Sequence, residues 1–177
     1  LNMEADIDKA FEGATLLEEM ISFKKEISVL VARNMDGVCK CFPVVDMEFN
    51  AEANLVEFLY SPSALDENIL REAMQLAVKV ASSYKIVGLL AVEMFVTQED
   101  NLLVNEVAPR PHNSGHHTIE SNFTSQFEQH LRAILSLPFG STDIIIASVM
   151  INLLGEKGHE GEVYIEGLEE AMSIPGV

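Results

Sequence analysis

The segment Ile86 to Thr97 constrains this chain most: it is apolar at both alternating sets of positions, and its one charge is Glu93. A strand that is apolar on both faces must be covered on both, so it belongs inside a sheet and not at its surface. The polar cluster Gln98-Glu99-Asp100-Asn101 then turns the chain, and Leu102 to Val107 returns beside it. A turn of those four residues pairs Thr97 with Leu102 and, counted back along the strands, sets Glu93 opposite Glu106. Opposed side chains of an antiparallel pair have β-carbons about 4.5–5.5 Å apart, and like charges there are destabilising. Three arrangements relieve the repulsion. The carboxylates share a proton, they hold Mg²⁺ whose shell is completed by nucleotide phosphate oxygens and water, or one pairs with an arginine such as Arg110 and has no chemical role.

The rest of the chain reads as an α+β domain. Residues 5–12 look like a helix end, and Thr15 to Met20 like a strand running into the pair Glu18-Glu19. Glu26 to Arg33 is rich in β-branched residues, Asn34-Met35-Asp36-Gly37 is a turn, and Val38 to Val45 is the hairpin partner. Residues 54–60 form a further strand that Pro62 stops. From Ser63 to Tyr84, Ile69, Ala73, Leu76, Ala77 and Val80 recur at helical spacing. Ser125-x-x-Glu128 is a capping box opening a second helix, whose stripe Phe127, Leu131, Ile134 and Leu135 is expected to be its core face. Beyond Pro138 and Gly140, Ile144 to Leu154 is a strand and Val163 to Ile165 its expected partner.

Charge and composition exclude several classes. The 28 acidic and 11 basic side chains leave a formal charge of −17, which opposes nucleic acid or an anionic membrane as partner. No apolar run reaches the roughly 18 residues of a bilayer span. For a 19.5 kDa chain, surface scaling gives about 8,500 Å² exposed when folded. Cys39-Lys40-Cys41 lacks the redox spacing, and neighbours this close in one strand are poorly placed for a disulfide, so both are expected to be inert thiols in a reducing, cytoplasmic setting. The start of the chain lacks the basic and apolar segments of a signal peptide, and the end at Pro175-Gly176-Val177 reads as a turn into another element, so the chain is expected to be an excised piece.

The stretch Asn105-Glu106-Val107-Ala108-Pro109-Arg110-Pro111-His112-Asn113-Ser114-Gly115-His116 follows the second carboxylate. Two prolines restrict it and a glycine lets it turn, so Arg110, His112 and Asn113 are presented at a strand end as donors toward an anion. The alternative is a rigid loop with Arg110 in an ion pair. His112, His116, His117 and Glu120 offer a rival zinc set, against which Pro111 and Gly115 disfavour a regular helix. Ser114 lacks the Gly-x-Ser-x-Gly setting of a hydrolase nucleophile.

This stretch resembles the signature of the 5-(carboxyamino)imidazole ribonucleotide synthases, ATP-grasp enzymes of purine biosynthesis also called the ATPase subunit of phosphoribosylaminoimidazole carboxylase. Ser125 to Ile134 and Ser148 to Gly155 resemble further stretches of that family. The resemblance implies an ATP-grasp core over residues 1–140, a mainly antiparallel sheet with packed helices, and the start of a small β-rich domain at 141–177. It implies ATP- and bicarbonate-dependent carboxylation of aminoimidazole ribonucleotide through carboxyphosphate, with Mg²⁺, in a cytoplasmic homodimer. By position, Glu18, Glu19, Met20 and Ile21 resemble the adenine hinge and Glu26 the residue holding the ribose hydroxyls. Glu93 and Glu106 match the Mg²⁺ ligands, Asn105 a nucleotide contact, and Arg110, His112 and Asn113 the bicarbonate or carboxyphosphate site.

The chain departs from the pattern at Phe49, where many members carry a histidine near the phosphates. The family's amino-terminal domain, a lid lysine, and the Tyr-Gly-Lys and Arg-Lys-Met-Gly-His stretches would lie outside Leu1 to Val177. The chain alone is therefore expected to fold without turnover. A non-catalytic nucleotide-binding or dimerising module, and another ATP-grasp ligase, are the alternatives.

Overall fold

A computed structural model describes residues 12–50, 55–155, 158–162 and 164–177. Its centre is one antiparallel sheet. β1 (Phe23–Arg33) lies between β5 (Gly88–Thr97) on one side and, on the other, β2 (Cys39–Cys41) followed by β3 (Val45–Asn50). β6 (Leu102–Ala108) pairs with β5, β4 (Leu55–Ser61) with β3, and β7 (Ser148–Ile151) with β4, giving the order β6-β5-β1-β3-β4-β7.

The apolar runs that predicted buried strands occupy the middle of this sheet. Along β1, Ile27, Val29 and Val31 are fully buried on one face, while Leu30 and Ala32 are buried on the other. Helix α1 (Glu67–Ser83) covers the first face and buries Ala73, Ala77 and Ala81, small side chains four residues apart that let the helix approach the sheet closely. Asp66 caps it, its side chain accepting from Asn68 N at 2.9 Å. The partner of β1 is split where Pro43 interrupts the ladder: Val31 pairs with Cys41, but Ser28 pairs with Val45, one residue out of step, and pairing continues to Met47.

Three expectations fail here. Residues 14–22 are irregular and largely exposed, with Leu16, Leu17 and Met20 at the surface, so the strand over Thr15 to Met20 is absent and β1 begins at Phe23. The segment has apolar residues, but among the described residues no neighbour buries them. The strand over Ile144 to Leu154 is the short β7, which takes β4 as its partner through Tyr60 and Val149; Val163, like most of 5–12, lies outside the described residues.

After the four-residue α2 (Thr118–Ser121), the second long helix, α3 (Gln126–Ile134), is inverted relative to the core face read from its stripe. Phe127, Leu131, Ile134 and Leu135 are exposed, whereas Gln126, Gln129 and Ala133 are fully buried. The glutamines staple the flanking loops, because a primary amide matches a peptide group as donor and acceptor. Gln129 donates to Gly140 O and accepts from Gly140 N, both at 3.0 Å, and Gln126 does the same for His112. The serine half of the capping box forms, Ser125 Oγ accepting from Glu128 N at 3.2 Å, while Glu128 Oε1 accepts from Arg132 Nε at 2.9 Å.

The accessible surface is 12090 Å², against the roughly 8,500 Å² that scaling gives for a compact chain of this mass. Residues 12–20 and 164–177 are exposed and contribute to the excess. No described helix is long and apolar enough to cross a membrane.

Candidate functional site

The open part of the second sheet face carries carboxylates. Glu26, Ser28, Leu30 and Ala32 share this face of β1; Glu93 pairs with Ser28, and Ala91 with Leu30. Leu30, Ala32, Leu89, Ala91 and Ala108 pack with Ala133 of α3 at one end. Toward the other end the apolar lining gives way to Ser28, Glu93, Glu26 and, on β6, Glu106.

Glu93 does face Glu106, by a different route from the one the turn suggested. The pairs Val96–Leu102, Phe95–Leu103 and Met94–Val104 run one residue out of step with that turn, and Thr97 N donates to Asn101 O at 2.9 Å. A bulge at Asn105 then restores the register, so that Glu93 opposes Glu106 and Val92 opposes Val107.

The electrostatics follow from this packing. The Glu93 side chain is only 12% exposed, and burial, then Glu106, then Glu26 push its carboxyl up to about 7. Burial also raises Glu26, whose Oε2 is enclosed without a partner. Glu106 and Asn105 are exposed at the rim. Across the cleft, His112 Nε2 lies 3.7 Å from Glu93 Oε1. Burial, then Arg110, keeps His112 below its usual range.

The loop bearing His112 is fixed by close approach to the sheet. A Cβ on Gly115 would lie 2.3 Å from Leu30 Cδ1 and 2.5 Å from Gln126 Oε1, so only glycine lets the turn Asn113–Gly115 sit there. Ser114 is buried against Ser28, and Asn113 is half-buried. Arg110 is exposed, its Nη1 donating to the neighbouring Pro111 O at 3.0 Å and not to a carboxylate.

The structure therefore brings Glu26, Glu93, Glu106 and His112 to one cleft, with Asn105 in the bulge at its rim. Glu18, Glu19 and Met20 stand in the exposed irregular segment leading into β1, with Ile21 half-buried beside them. Phe49 lies in β3, paired with Val56. The histidine cluster diverges. His116 stacks on Phe127 at 5.9 Å between centroids, His117 is buried with Nδ1 unpartnered and held down to about 4 mainly by burial, and Glu120 is exposed. Among the described residues no group of three His, Cys, Asp or Glu side chains is placed to hold a metal. Ser28 and Gln126, which sequence reasoning did not single out, support the loop; the visible signals were a serine amid apolar β1 residues and a glutamine directly after a helix cap.

The ATP-grasp domain model matches residues 1–127. An N5-carboxyaminoimidazole ribonucleotide synthase of Bacillus subtilis is 46% identical over 160 residues, covering 90% of this chain and 41% of the relative. The crystal structure of N5-carboxyaminoimidazole ribonucleotide synthetase from Thermotoga maritima superposes with TM-score 0.87 at 45% identity, over 98% of this chain and 46% of that one. An Aspergillus clavatus N5-carboxyaminoimidazole synthase in complex with ADP and aminoimidazole ribonucleotide superposes with TM-score 0.73 at 35% identity, over 78% and 37%. The chain spans less than half the length of these relatives.

Proposed function

Because the chain belongs to the ATP-grasp family, we propose that its carboxylate cleft is the metal and phosphate side of an enzyme that carboxylates 5-aminoimidazole ribonucleotide with ATP and bicarbonate. The observation that carries this is Glu93 facing Glu106 beside His112, on a sheet that matches synthases of that reaction.

The residues fit Mg²⁺. Glu93 and Glu106 offer hard carboxylate oxygens, and the raised Glu93 carboxyl marks a site that lacks positive charge. When bound, Mg²⁺ would neutralise phosphate charge and orient the nucleotide. The chain's own residues do the rest. Glu26 offers an unpartnered acceptor suited to ribose hydroxyls, the segment Glu18, Glu19, Met20 and Ile21 would meet adenine, and Asn105 would contact the nucleotide from the rim. Arg110, His112 and Asn113 supply donors to bicarbonate and to the carboxyphosphate made from it, stabilising charge on oxygen before the carboxyl group passes to the amine of the ribonucleotide.

The reaction is proposed for a protein of the relatives' length, acting as a cytoplasmic homodimer. In it residues 1–140 form part of the ATP-grasp domain, and 141–177 begin a smaller β-rich unit whose strand β7 joins the sheet edge. The test is ADP release by such a protein carrying this sequence, measured with and without bicarbonate and aminoimidazole ribonucleotide. Release that requires both supports the reading, and release indifferent to both overturns it. The 177-residue chain alone is expected to release none. The exposed stripe of α3 favours a second reading, a dimerising module without chemistry. Light scattering that finds a dimer, together with no Mg-dependent nucleotide binding, selects it.

A further inference from the structure

His112 is held from three sides. Its main-chain N–H donates to Gln126 Oε1 and its carbonyl accepts from Gln126 Nε2, both at 2.8 Å. At the ring, Ser114 N–H donates to Nδ1 at 3.3 Å, and Ser114 Oγ lies 3.0 Å from the same nitrogen. Behind Ser114 the Ser28 hydroxyl sits 2.8 Å away, and both serines are buried.

These contacts settle which ring nitrogen carries hydrogen. A backbone N–H approaches only a nitrogen with a free lone pair, so Nδ1 is the acceptor and the hydrogen of the neutral ring is on Nε2. The one lone pair of Nδ1 is shared by the Ser114 N–H and O–H when that hydroxyl donates to it, and in that arrangement Ser28 donates to Ser114 Oγ. Nε2 is the atom turned toward Glu93, which is itself the cross-strand partner of Ser28. Four side chains from β1, β5 and the loop thus close a ring around one position of the sheet.

We propose that Ser28 and Ser114 are positioning residues that lock His112 as an Nε2–H donor aimed into the carboxylate cleft, so that it offers a bound anionic oxygen a hydrogen and not a lone pair. The direction of the donor rests on the site reading above; the lock itself does not. A partner on one ring nitrogen commonly fixes what the other can do, and here that partner is a serine pair buried under a loop that Gln126 clamps. Both serines are buried, so neither hydroxyl is open to a molecule in the cleft. Their effect passes through the ring orientation and tautomer.

The experiment is a long-range proton–nitrogen correlation spectrum of the 177-residue chain with ¹⁵N-labelled histidine, the His112 signals assigned by their loss in His112→Asn. The expected result is an unprotonated Nδ1 displaced from the free-imidazole value by hydrogen bonding. Ser114→Ala moves it back toward that value and populates the Nδ1–H form, Ser28→Ala moves it part of the way, and Ser114→Thr, which keeps the hydroxyl, leaves it in place. A protonated Nδ1 in the unaltered chain overturns the proposal, as does a Ser114→Ala spectrum superimposable on the original. Mg-ADP titrations of a protein of the relatives' length carrying this sequence separate the two readings. If that protein binds no Mg-ADP while His112 is the Nε2–H form, the site reading falls and the serine lock stands.

Discussion

Glu93 opposes Glu106 because Asn105 is an extra residue in β6: in the register set by the turn, Asn105 would stand opposite Glu93. The bulge concentrates like charge at one point of an otherwise apolar strand, and this charge is available to a cation only if it is not already paid off by an arginine. Arg110 bonds to Pro111 O instead. Removing the second charge should therefore relax the first. In Glu106→Gln the Glu93 carboxyl, held up to about 7, is expected to fall, though not to the ordinary range, because burial is the larger cause. Carboxyl-carbon NMR titration reads this directly, and an unmoved midpoint would show that the two groups are not coupled.

Two buried groups give the stability profile opposite slopes. Glu93 is raised from 4.5 to about 7, so between those values the folded state holds a proton the unfolded chain has lost, and stability falls as pH rises through that window. His117 is lowered from 6.5 to about 4, so the unfolded chain binds the extra proton, and stability falls as pH drops from 6.5 toward 4. The His117 effect is on the order of 2 to 3 kcal/mol. The two windows overlap, so their slopes largely cancel in the unaltered chain, and urea unfolding across pH 4 to 7.5 is expected to show His117→Gln losing stability toward neutrality and Glu93→Gln losing it toward acid. Unchanged slopes in both variants would contradict the assignment.

Gly88 begins β5 at φ +117°, and a Cβ there would lie 2.8 Å from His130 Cε1. The same ring accepts from Leu89 N through Nδ1 at 3.0 Å. Gly88→Ala should destabilise by about 2 to 4 kcal/mol through backbone strain and displacement of His130. A change below about 0.5 kcal/mol in urea unfolding, the range of neutral surface substitutions, would refute this.

Cys41 is pushed up to about 12, chiefly by burial, and its Sγ lies 3.8 Å from Met74 O. A maleimide at pH 7.5 is expected to label Cys39 well before Cys41, because so little of the Cys41 thiol is ionised at that pH. Equal rates in the native chain would contradict that burial.

Much of this was legible in the residues because single elements announce themselves. The apolar run at 86–97 reads as a covered strand, Ser125 as a helix cap, and the Pro and Gly pattern after Glu106 as a loop carrying donors. What failed depends on partners. The Asn105 bulge is a matter of register, to which the alternation of strand residues is blind. The stripe of α3 has helical spacing, but the buried glutamines are needed by the main chain of His112 and Gly140, and that need outranks apolar burial. Residues 14–22 have strand-like composition and nothing in the described structure to pair with. The serine lock was invisible because Ser28 and Ser114 are far apart in sequence and meet only when Gly115 packs on Leu30.

The central claim is that Glu93 and Glu106 are the metal wall of a nucleotide site, and the most direct measurement is calorimetric titration of ADP with and without Mg²⁺ into a protein of the relatives' length carrying this sequence. The account predicts that Mg²⁺ tightens ADP binding at least about tenfold, or about 1.4 kcal/mol, and that Glu106→Gln abolishes the difference while circular dichroism shows the fold intact. An equal Mg²⁺ dependence in both proteins would contradict it.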